Sequence, residues 1–278
     1  MLKTSHFILL LKTVFLTAVL HSTAVQAGLL ISPMLLTFND RERSKEVILI
    51  NKSDQTTTYR LIWKQNRAKP NGGYDELSEQ ESKEFPIASS MIRFSPKQVR
   101  LGPGERQIVK LAVRRPKNLA QGEYRSHLLF SALPQEKNKD VISNGPTNLT
   151  VQVMLSYSIP VIVRSGEKDY SVTIDDAKVL TSQKKGKTQY QLEVAMSRTG
   201  INSTAGSIKA YWKKNGSREE VHIGTLNSVQ FYPELETSKY NLFWQGPEVA
   251  LKSGKLRVVY EGRKDFSGLV LAEKTFTL

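Results

Sequence analysis

The sequence contains no cysteine, only four histidines and almost no stretch with helical periodicity. The absence of cysteine excludes a disulfide framework, a thiolate nucleophile and a cysteine-based metal site. Beyond the first 27 residues the histidines are His127 and His222, which stand far apart in the chain. Two isolated histidines do not supply the ligand set of a zinc site, so we predict no bound metal.

Sequence motifs of enzymes are missing as well. The chain has no Gly-x-Ser-x-Gly elbow, no P-loop and no dinucleotide-binding fingerprint. The run Gly102-Pro103-Gly104 is predicted to be a turn, because proline removes one of the backbone donors that a phosphate cradle uses. The acids between Asp75 and Glu81 have no apolar frame, so a solvated run is a better interpretation than paired catalytic carboxylates. We predict a protein that is not an enzyme and has no cofactor.

The apolar segment near the N-terminus is too interrupted for a transmembrane anchor, which needs about 20 apolar residues. Phe7–Leu20 contains Lys12, follows the basic residue Lys3 and is followed by Ala24-Val25-Gln26-Ala27. A basic start, an apolar stretch and a small-residue end are typical of a secretory signal peptide. We predict a signal peptide over residues 1–27. After its cleavage the protein would lie outside the cytoplasm, without membrane insertion.

Acidic residues are outnumbered by basic ones, 26 to 40, and the formal net charge is +14. Loss of Lys3 and Lys12 with the signal peptide lowers it to +12. Such a balance suggests acidic partners, nucleic acid or an anionic surface. The basic residues are scattered, however, and the densest group, Lys184-Lys185-Gly186-Lys187, is typical of a solvated hairpin turn. We predict no nucleic-acid binding.

Short apolar or alternating runs, each followed by turn-forming or polar residues, recur along the rest of the chain. This rhythm is typical of a β-sandwich or barrel. A polar break at Ser165-Gly166-Glu167-Lys168 divides the runs into two sets. We predict an all-β fold with two immunoglobulin-like β-sandwich domains, residues 28–165 and 166–278. Predicted strands include Leu30–Phe38, Val221–Leu226 and Ser228–Tyr232, and the predicted mobile loops are Gln65–Lys83 and Pro134–Thr147.

The last run of the first domain, Leu149–Ile159, alternates regularly. Every odd position is apolar, whereas the even positions are Thr, Gln, Met, Ser and Ser. Alternation puts the apolar residues on one face of a strand. An exposed edge strand with such a stripe is an aggregation hazard. The stripe therefore either packs into its own sandwich as an ordinary final strand, or pairs with the incomplete sheet of another protein.

Four features between residues 95 and 130 occur in a characteristic order. Ser95-Pro96 precedes a strand that runs into the Pro103-Gly104 turn, and Arg114-Arg115-Pro116 ends the next strand. Gly122-Glu123-Tyr124 then forms a corner into Leu128-Leu129-Phe130, where Tyr124 is suited to a tyrosine-corner hydrogen bond. This set resembles the periplasmic pilus (fimbrial) assembly chaperones of the chaperone–usher pathway, the PapD-like family.

The resemblance implies an L-shaped pair of immunoglobulin-like domains in the periplasm, with a binding cleft between them. It also implies that the partners are pilus subunits and an outer-membrane usher. The chaperone would bind each subunit by donor-strand complementation, keep it folded and unpolymerised, and deliver it to the usher. On this interpretation the donor residues are Leu149, Val151, Val153 and Leu155, whereas Tyr157 and Ile159 turn inward.

The family also anchors the subunit's C-terminal carboxylate with a basic pair, and that pair is not evident here. Leu35 or Met34 stands where the family has an arginine, and residues 155–158 offer no lysine. This departure suggests a divergent branch, in which hydroxyls or another basic residue hold the carboxylate. The possible cleft or anchor residues are Ser156, Tyr157, Ser158, Arg93 and Arg164.

A different class of function stays open: a secreted immunoglobulin-like surface or adhesion module whose last strand pairs internally. Such a module would be a monomer that binds glycan or matrix and needs no fimbrial partner.

Overall fold

The structure, a computed structural model, describes residues 28–134, 154–184, 187–243 and 253–277. The predicted signal peptide lies outside the described residues, as do residues 135–147 of the predicted loop. Within the described ranges, no helix combines the length and apolar character needed to cross a membrane.

Strands of the first sandwich lie between residues 29 and 165. They form a four-stranded sheet in the order β1-β3-β9-β7 and a five-stranded sheet in the order β2-β11-β10-β4-β8. A separate small hairpin, β5-β6, projects from between β4 and β7. The strands are β1 (Leu29–Ser32), β2 (Leu36–Phe38), β3 (Ser44–Asn51), β4 (Thr57–Lys64), β5 (Asn66–Ala68), β6 (Tyr74–Glu76), β7 (Ile92–Ser95), β8 (Gln98–Leu101), β9 (Arg106–Val113), β10 (Gly122–Ala132) and β11 (Ser156–Ser165).

The first predicted strand, Leu30–Phe38, is in fact two strands in different sheets. β1 pairs antiparallel with β3, whereas β2 pairs parallel with β11. Pro33 lies between them and cannot donate to a ladder. The prediction of one continuous strand was therefore wrong: the chain crosses from one sheet to the other at this proline.

The core between the two sheets contains fully buried Phe38, Leu49, Leu111 and Phe130. At the corner before β10, the Tyr124 hydroxyl donates to the carbonyl oxygen of Ala120 at 3.1 Å. The predicted tyrosine-corner hydrogen bond is confirmed.

Strands of the second sandwich lie between residues 171 and 277. They form a three-stranded sheet, β12-β13-β16, and a four-stranded sheet, β15-β14-β17-β18. The two-sandwich, all-β fold class predicted from the sequence is confirmed. The strands are β12 (Ser171–Lys184), β13 (Lys187–Thr199), β14 (Thr204–Lys214), β15 (Val221–Phe231), β16 (Thr237–Phe243), β17 (Gly254–Gly262) and β18 (Val270–Thr277).

One strand, β15, replaces the two strands predicted over Val221–Tyr232. Its pairing with β14 shifts register between Gly206 and Ile208, and Ser228 has φ = 59° at that point. The one extra residue of β15 at this point forms a bulge, which bends a strand without ending it. The prediction of two separate strands was therefore wrong.

The segment Gln65–Lys83 was predicted to be a loop, and this was wrong. It contains the β5–β6 hairpin and a short helix, α1 (Glu79–Glu84). Ser78 caps α1: its side chain accepts from the Glu81 backbone N–H, while the Glu81 side chain accepts from the Ser78 backbone N–H. Such reciprocal capping satisfies donors that a helix N-terminus otherwise leaves free. Asp75, Glu76 and Glu81 of this segment pair with surface lysines and an arginine, for example Asp75 with Lys69 at 3.1 Å.

Candidate functional site

β11 is paired to different extents along its two edges. On one edge it pairs with β10 over its whole length, from Ser156 opposite Ser131 to Ser165 opposite Gly122. On the other edge β2 pairs only with Val161, Ile162 and Val163. No described strand pairs with that second edge over residues 156–160. These five residues, here termed the open edge of β11, present unpaired backbone groups.

Pro160 lies within the open edge, opposite His127 of β10. Proline has no N–H, so within sheets it is found where its nitrogen faces an unpaired side. A proline at this point therefore suits a strand edge that no other part of the sheet covers.

Side chains along β11 alternate between the first core and the opposite face. Ile159, Val161 and Val163 are fully buried in that core, and Tyr157 packs against it half-buried. The prediction that Tyr157 and Ile159 turn inward is therefore confirmed. Ser156 and Ser158 are exposed on the opposite face.

The predicted donor residues Leu149, Val151 and Val153 lie outside the described residues. The fourth, Leu155, directly precedes β11 and is 60% exposed, and its neighbour Met154 is 48% exposed. Two large apolar side chains thus lie in solvent at the start of the open edge. The donor assignment itself stays a prediction.

The possible anchor residues do not lie together. Ser156 and Ser158 lie on the open edge, where the Ser156 hydroxyl donates to the Ser131 hydroxyl at 3.4 Å. Arg93 is exposed on β7, in the sheet that does not contain β11. Arg164 lies at the far end of β11, only 5% exposed. An anchoring role for any of them stays a prediction.

Arg164 is engaged in a buried network that joins the two sandwiches. Its Nε donates to Glu123 at 3.1 Å, one terminal nitrogen donates to Asp265 at 3.0 Å, and the other donates to the Ser203 carbonyl at 3.0 Å. Glu123 also accepts from the Ser203 backbone N–H and hydroxyl, at 3.0 and 2.8 Å. The Arg164 donors are therefore used to join β10 and β11 to the second sandwich.

A second buried arginine, Arg125 on β10, makes a similar connection. It forms an ion pair with Glu234 of the second sandwich and lies 3.8 Å from the ring centroid of Tyr232. Burial would lower the pKa of the Arg125 guanidinium, but the hydrogen bonds that Arg125 donates to Glu234 and the nearby negative charges together outweigh burial, so the pKa is raised. The charge of Arg125 is thus matched within the chain.

The β5–β6 hairpin makes the third connection between the sandwiches. The hydroxyls of Tyr74 and Tyr232 are 3.0 Å apart, and the backbone N–H of Ala68 donates to Glu234 at 2.9 Å. The Ser238 hydroxyl donates to the Pro70 carbonyl in the hairpin turn. These three connections fix the position of one sandwich against the other.

His127 lies beneath the hairpin, with its ring centroid 4.6 Å from that of Tyr74. It is 1% exposed, and neither ring nitrogen has a hydrogen-bond partner among the described residues. Burial and then the nearby charge of Arg125 lower the pKa of His127 to about 3. His127 is therefore a buried ring that stays uncharged near neutral pH, which suits a structural role.

A cavity of about 620 Å³ lies between the sandwiches, next to the open edge. Met34, Leu35 and Pro160 of the first sandwich line one side, and Arg263 and Lys264 of the second line the other. Lys264 has φ = 58°, in the left-handed region that non-glycine residues rarely adopt. Partial burial lowers the pKa of Lys264, with the charge of Asp265 acting in the opposite direction. This cavity therefore combines an apolar wall with two cations.

No family model and no curated protein matches the chain. Solved structures are similar to it. The YadV chaperone is 13% identical with a TM-score of 0.45, over 91% of this chain and 100% of that one. The class 5 fimbriae chaperone CfaA is 14% identical with a TM-score of 0.44, over 90% of this chain and 98% of that one. The match in the CsuC–CsuE chaperone–tip adhesion subunit pre-assembly complex of Acinetobacter baumannii is 15% identical with a TM-score of 0.42, over 90% of this chain and 98% of that one.

These solved structures include chaperones of the kind that the sequence motifs resemble. At such TM-scores the similarity does not assign a role to any residue of the site.

Arg263 and Lys264 were not among the residues selected from the sequence. They lie between β17 and β18, next to Gly262 and near Gly268, so they have the pattern of a solvated turn. The sequence contains no sign that this turn faces Met34 and Leu35, more than 200 residues earlier. Only the packing of the two sandwiches brings them together.

Proposed function

We propose that the chain is a periplasmic chaperone for fimbrial subunits, with residues 28–165 and 166–278 as its two domains. It would bind a subunit by adding the open edge of β11, and the segment that precedes it, to the subunit's incomplete sheet. The observation that carries this proposal is the half-paired β11, whose residues 156–160 lack a described partner on one edge. Delivery of the subunit to an outer-membrane usher is part of the same proposal and rests on the motif resemblance.

The physical case begins with the backbone. Unpaired N–H and C=O groups of a strand edge are a template for another strand, and strand addition satisfies them. The exposed Met154 and Leu155 continue the edge toward Leu149, Val151 and Val153. Burial of a Val or Leu side chain stabilises by about 1.5–3 kcal/mol. Several such side chains in the open core of a subunit would offset the cost of association.

For the anchor, we propose Arg263 and Lys264 in place of the family's basic pair. Both cations line the cavity beside the open edge, opposite the Met34 and Leu35 that stand where the family has arginine. An arginine fork and an ammonium suit a carboxylate. The terminal carboxylate of a subunit paired with β11 would then lie in the cavity.

The decisive experiment is co-expression with the products of neighbouring usher and subunit genes, followed by pull-down. Val151→Asp would abolish recovery of the subunit, because a charge cannot be buried in the subunit's apolar core without a large cost. Gln152→Asp, on the opposite face of the same run, is the matched control and would retain the subunit. Circular dichroism and thermal melting would show both variants folded.

Unchanged subunit recovery by Val151→Asp would contradict strand donation by this segment. A folded wild-type monomer that captures no fimbrial subunit under any co-expression would favour the surface or adhesion module instead.

The anchor has its own test in the same assay. Arg263→Gln together with Lys264→Gln would weaken binding of a peptide with the subunit's C-terminal sequence by roughly tenfold or more, since charge-assisted hydrogen bonds are worth about 1.5–3 kcal/mol each. Lys255→Gln, exposed on β17, is the control. With an amidated peptide the wild-type chain and the double variant would bind equally. A double variant that still distinguishes the free acid from the amide would contradict the anchor.

A further inference from the structure

The outer face of the five-stranded sheet has a part that the second sandwich leaves exposed. Arg60 and Ile62 of β4 and Gln98 and Arg100 of β8 are exposed there, and the face continues to the open edge. The strand registers place Arg60 beside Ser131, and Ser131 beside Ser156. We term this surface the arginine face; its residues are Arg60, Ile62, Gln98, Arg100, Leu129, Ser131, Ser156 and Ser158.

The two arginines of this face have no acidic partner among the described residues. Arg60 lies opposite Gln98, so Arg100 is its diagonal neighbour on the adjacent strand, where Cβ atoms are about 7–8 Å apart. Neither guanidinium has a hydrogen bond or an ion pair with any described residue. Like charges at that spacing repel each other weakly in water, at a small cost to the free protein that salt screens. An acidic partner would turn this cost into attraction.

The arginine face also has the composition of an interface. Ile62, 37% exposed, and half-buried Leu129 form its apolar centre, and the arginines, Gln98 and the serines surround it. An apolar centre with a polar rim is the usual layout of a protein–protein contact. This layout favours a protein partner over a small anion.

The distances allow a partner on the open edge to reach this face. Neighbouring strands are about 4.8 Å apart, so β4 lies roughly 10 Å and β8 roughly 14 Å from β11. A typical interface covers about 800 Å² on each partner, which is a patch wide enough to span these strands. Ser156 and Ser158 belong to the open edge and to the arginine face alike.

We propose that the arginine face docks an acidic surface patch of the same subunit that pairs with β11. This inference rests on the proposed function and adds to it the charge of the subunit surface. The face would accelerate association and select acidic subunits, because exposed charges at an interface rim act mainly on the association rate.

The test uses the full chain and the subunit that co-purifies with it. Arg60→Glu with Arg100→Glu would slow association of that subunit by about tenfold or more at low salt, and would remove the decrease in rate that added salt causes in the wild type. The dissociation rate would change by less than about threefold. Arg106→Glu, at an exposed arginine on β9 in the other sheet, is the control and would behave as the wild type.

Three results would overturn the proposal. Equal association rates and salt dependence for the double variant and the wild type would exclude docking on this face, while subunit recovery in the same assay would leave the chaperone function standing. If the wild type recovers no subunit, both the docking face and the chaperone function are contradicted. Faster association after Glu136→Gln with Asp140→Asn would show that the segment before β11, which carries these acids, covers the arginines instead.

Discussion

The two halves of β11 differ in how many neighbouring strands they pair with. Residues 161–165 lie next to β10 throughout, with β2 along the other edge of Val161–Val163, and end in the buried Arg164 network. Residues 156–160 are paired on one edge only, and the exposed Leu155 precedes them. The strand thus combines a half that the fold holds in place with a half that is available to a partner. The first half gives the second a defined direction and register.

The largest effect is expected in the paired half. Arg164→Met would destabilise the protein by about 3–5 kcal/mol in urea unfolding, because it leaves Glu123 buried without its counter-charge. Adding Glu123→Leu removes that stranded charge, so the double variant would recover part of the loss. A single variant within about 1 kcal/mol of the wild type would mean that the network does not hold the two sandwiches together.

A pair of alanine substitutions compares the two halves directly. Ile159→Ala would cost about 2–5 kcal/mol, because Ile159 is fully buried in the first core. Leu155→Ala, four residues earlier, would change the free energy of unfolding by less than about 0.5 kcal/mol, because Leu155 is 60% exposed. In the pull-down, by contrast, Leu155→Ala would lower subunit recovery although it leaves the stability of the chain almost unchanged. Equal destabilisation by both substitutions would mean that Leu155 packs into the chain's own core.

His127 marks the boundary between the halves, opposite Pro160, and gives the smallest of the three effects. Its pKa is lowered from 6.5 to about 3 in the folded state, so protonation favours the unfolded chain. The stability it contributes is present above pH 6.5 and is lost as the pH falls from there toward 3. Between pH 7 and pH 5 this amounts to about 2 kcal/mol. In urea titrations, the free energy of unfolding of His127→Leu would change by about 2 kcal/mol less between pH 7 and pH 5 than that of the wild type. An unchanged pH dependence would mean that other groups cause it.

Several features of the fold were predictable because they depend on neighbours in sequence. The corner at Tyr124 and the inward face of Tyr157 and Ile159 follow from local spacing and alternation, and the structure confirms them. The helix α1 had a local signal too, Ser78 followed by Glu81, but the surrounding acids favoured a solvated loop. The bulge at Ser228 resembled a strand boundary, since both interrupt an apolar run.

The polar contacts of the site were not predictable in the same way. Arg164 meets Glu123 and Asp265, which lie 41 and 101 residues away, and no local pattern indicates such partners. The open edge itself depends on β2 covering three residues of β11. The length of β2 is limited by the crossing at Pro33, a consequence of tertiary packing that alternation alone does not reveal.

The β5–β6 hairpin has a consequence for the order in which the molecule is completed. Ala68 and its hydrogen-bond acceptor Glu234 are 166 residues apart, and Tyr74 and Tyr232 are 158 apart. Because a chain is synthesised from its N-terminus, the hairpin emerges long before the residues that it contacts. The first sandwich can close while its hairpin still lacks a counterpart, and the second must then form against a surface already in place. This order follows because domains generally fold as units, the N-terminal one first, during synthesis. A second sandwich expressed without the first would leave the Tyr232 ring without its stacked arginine and its hairpin cover.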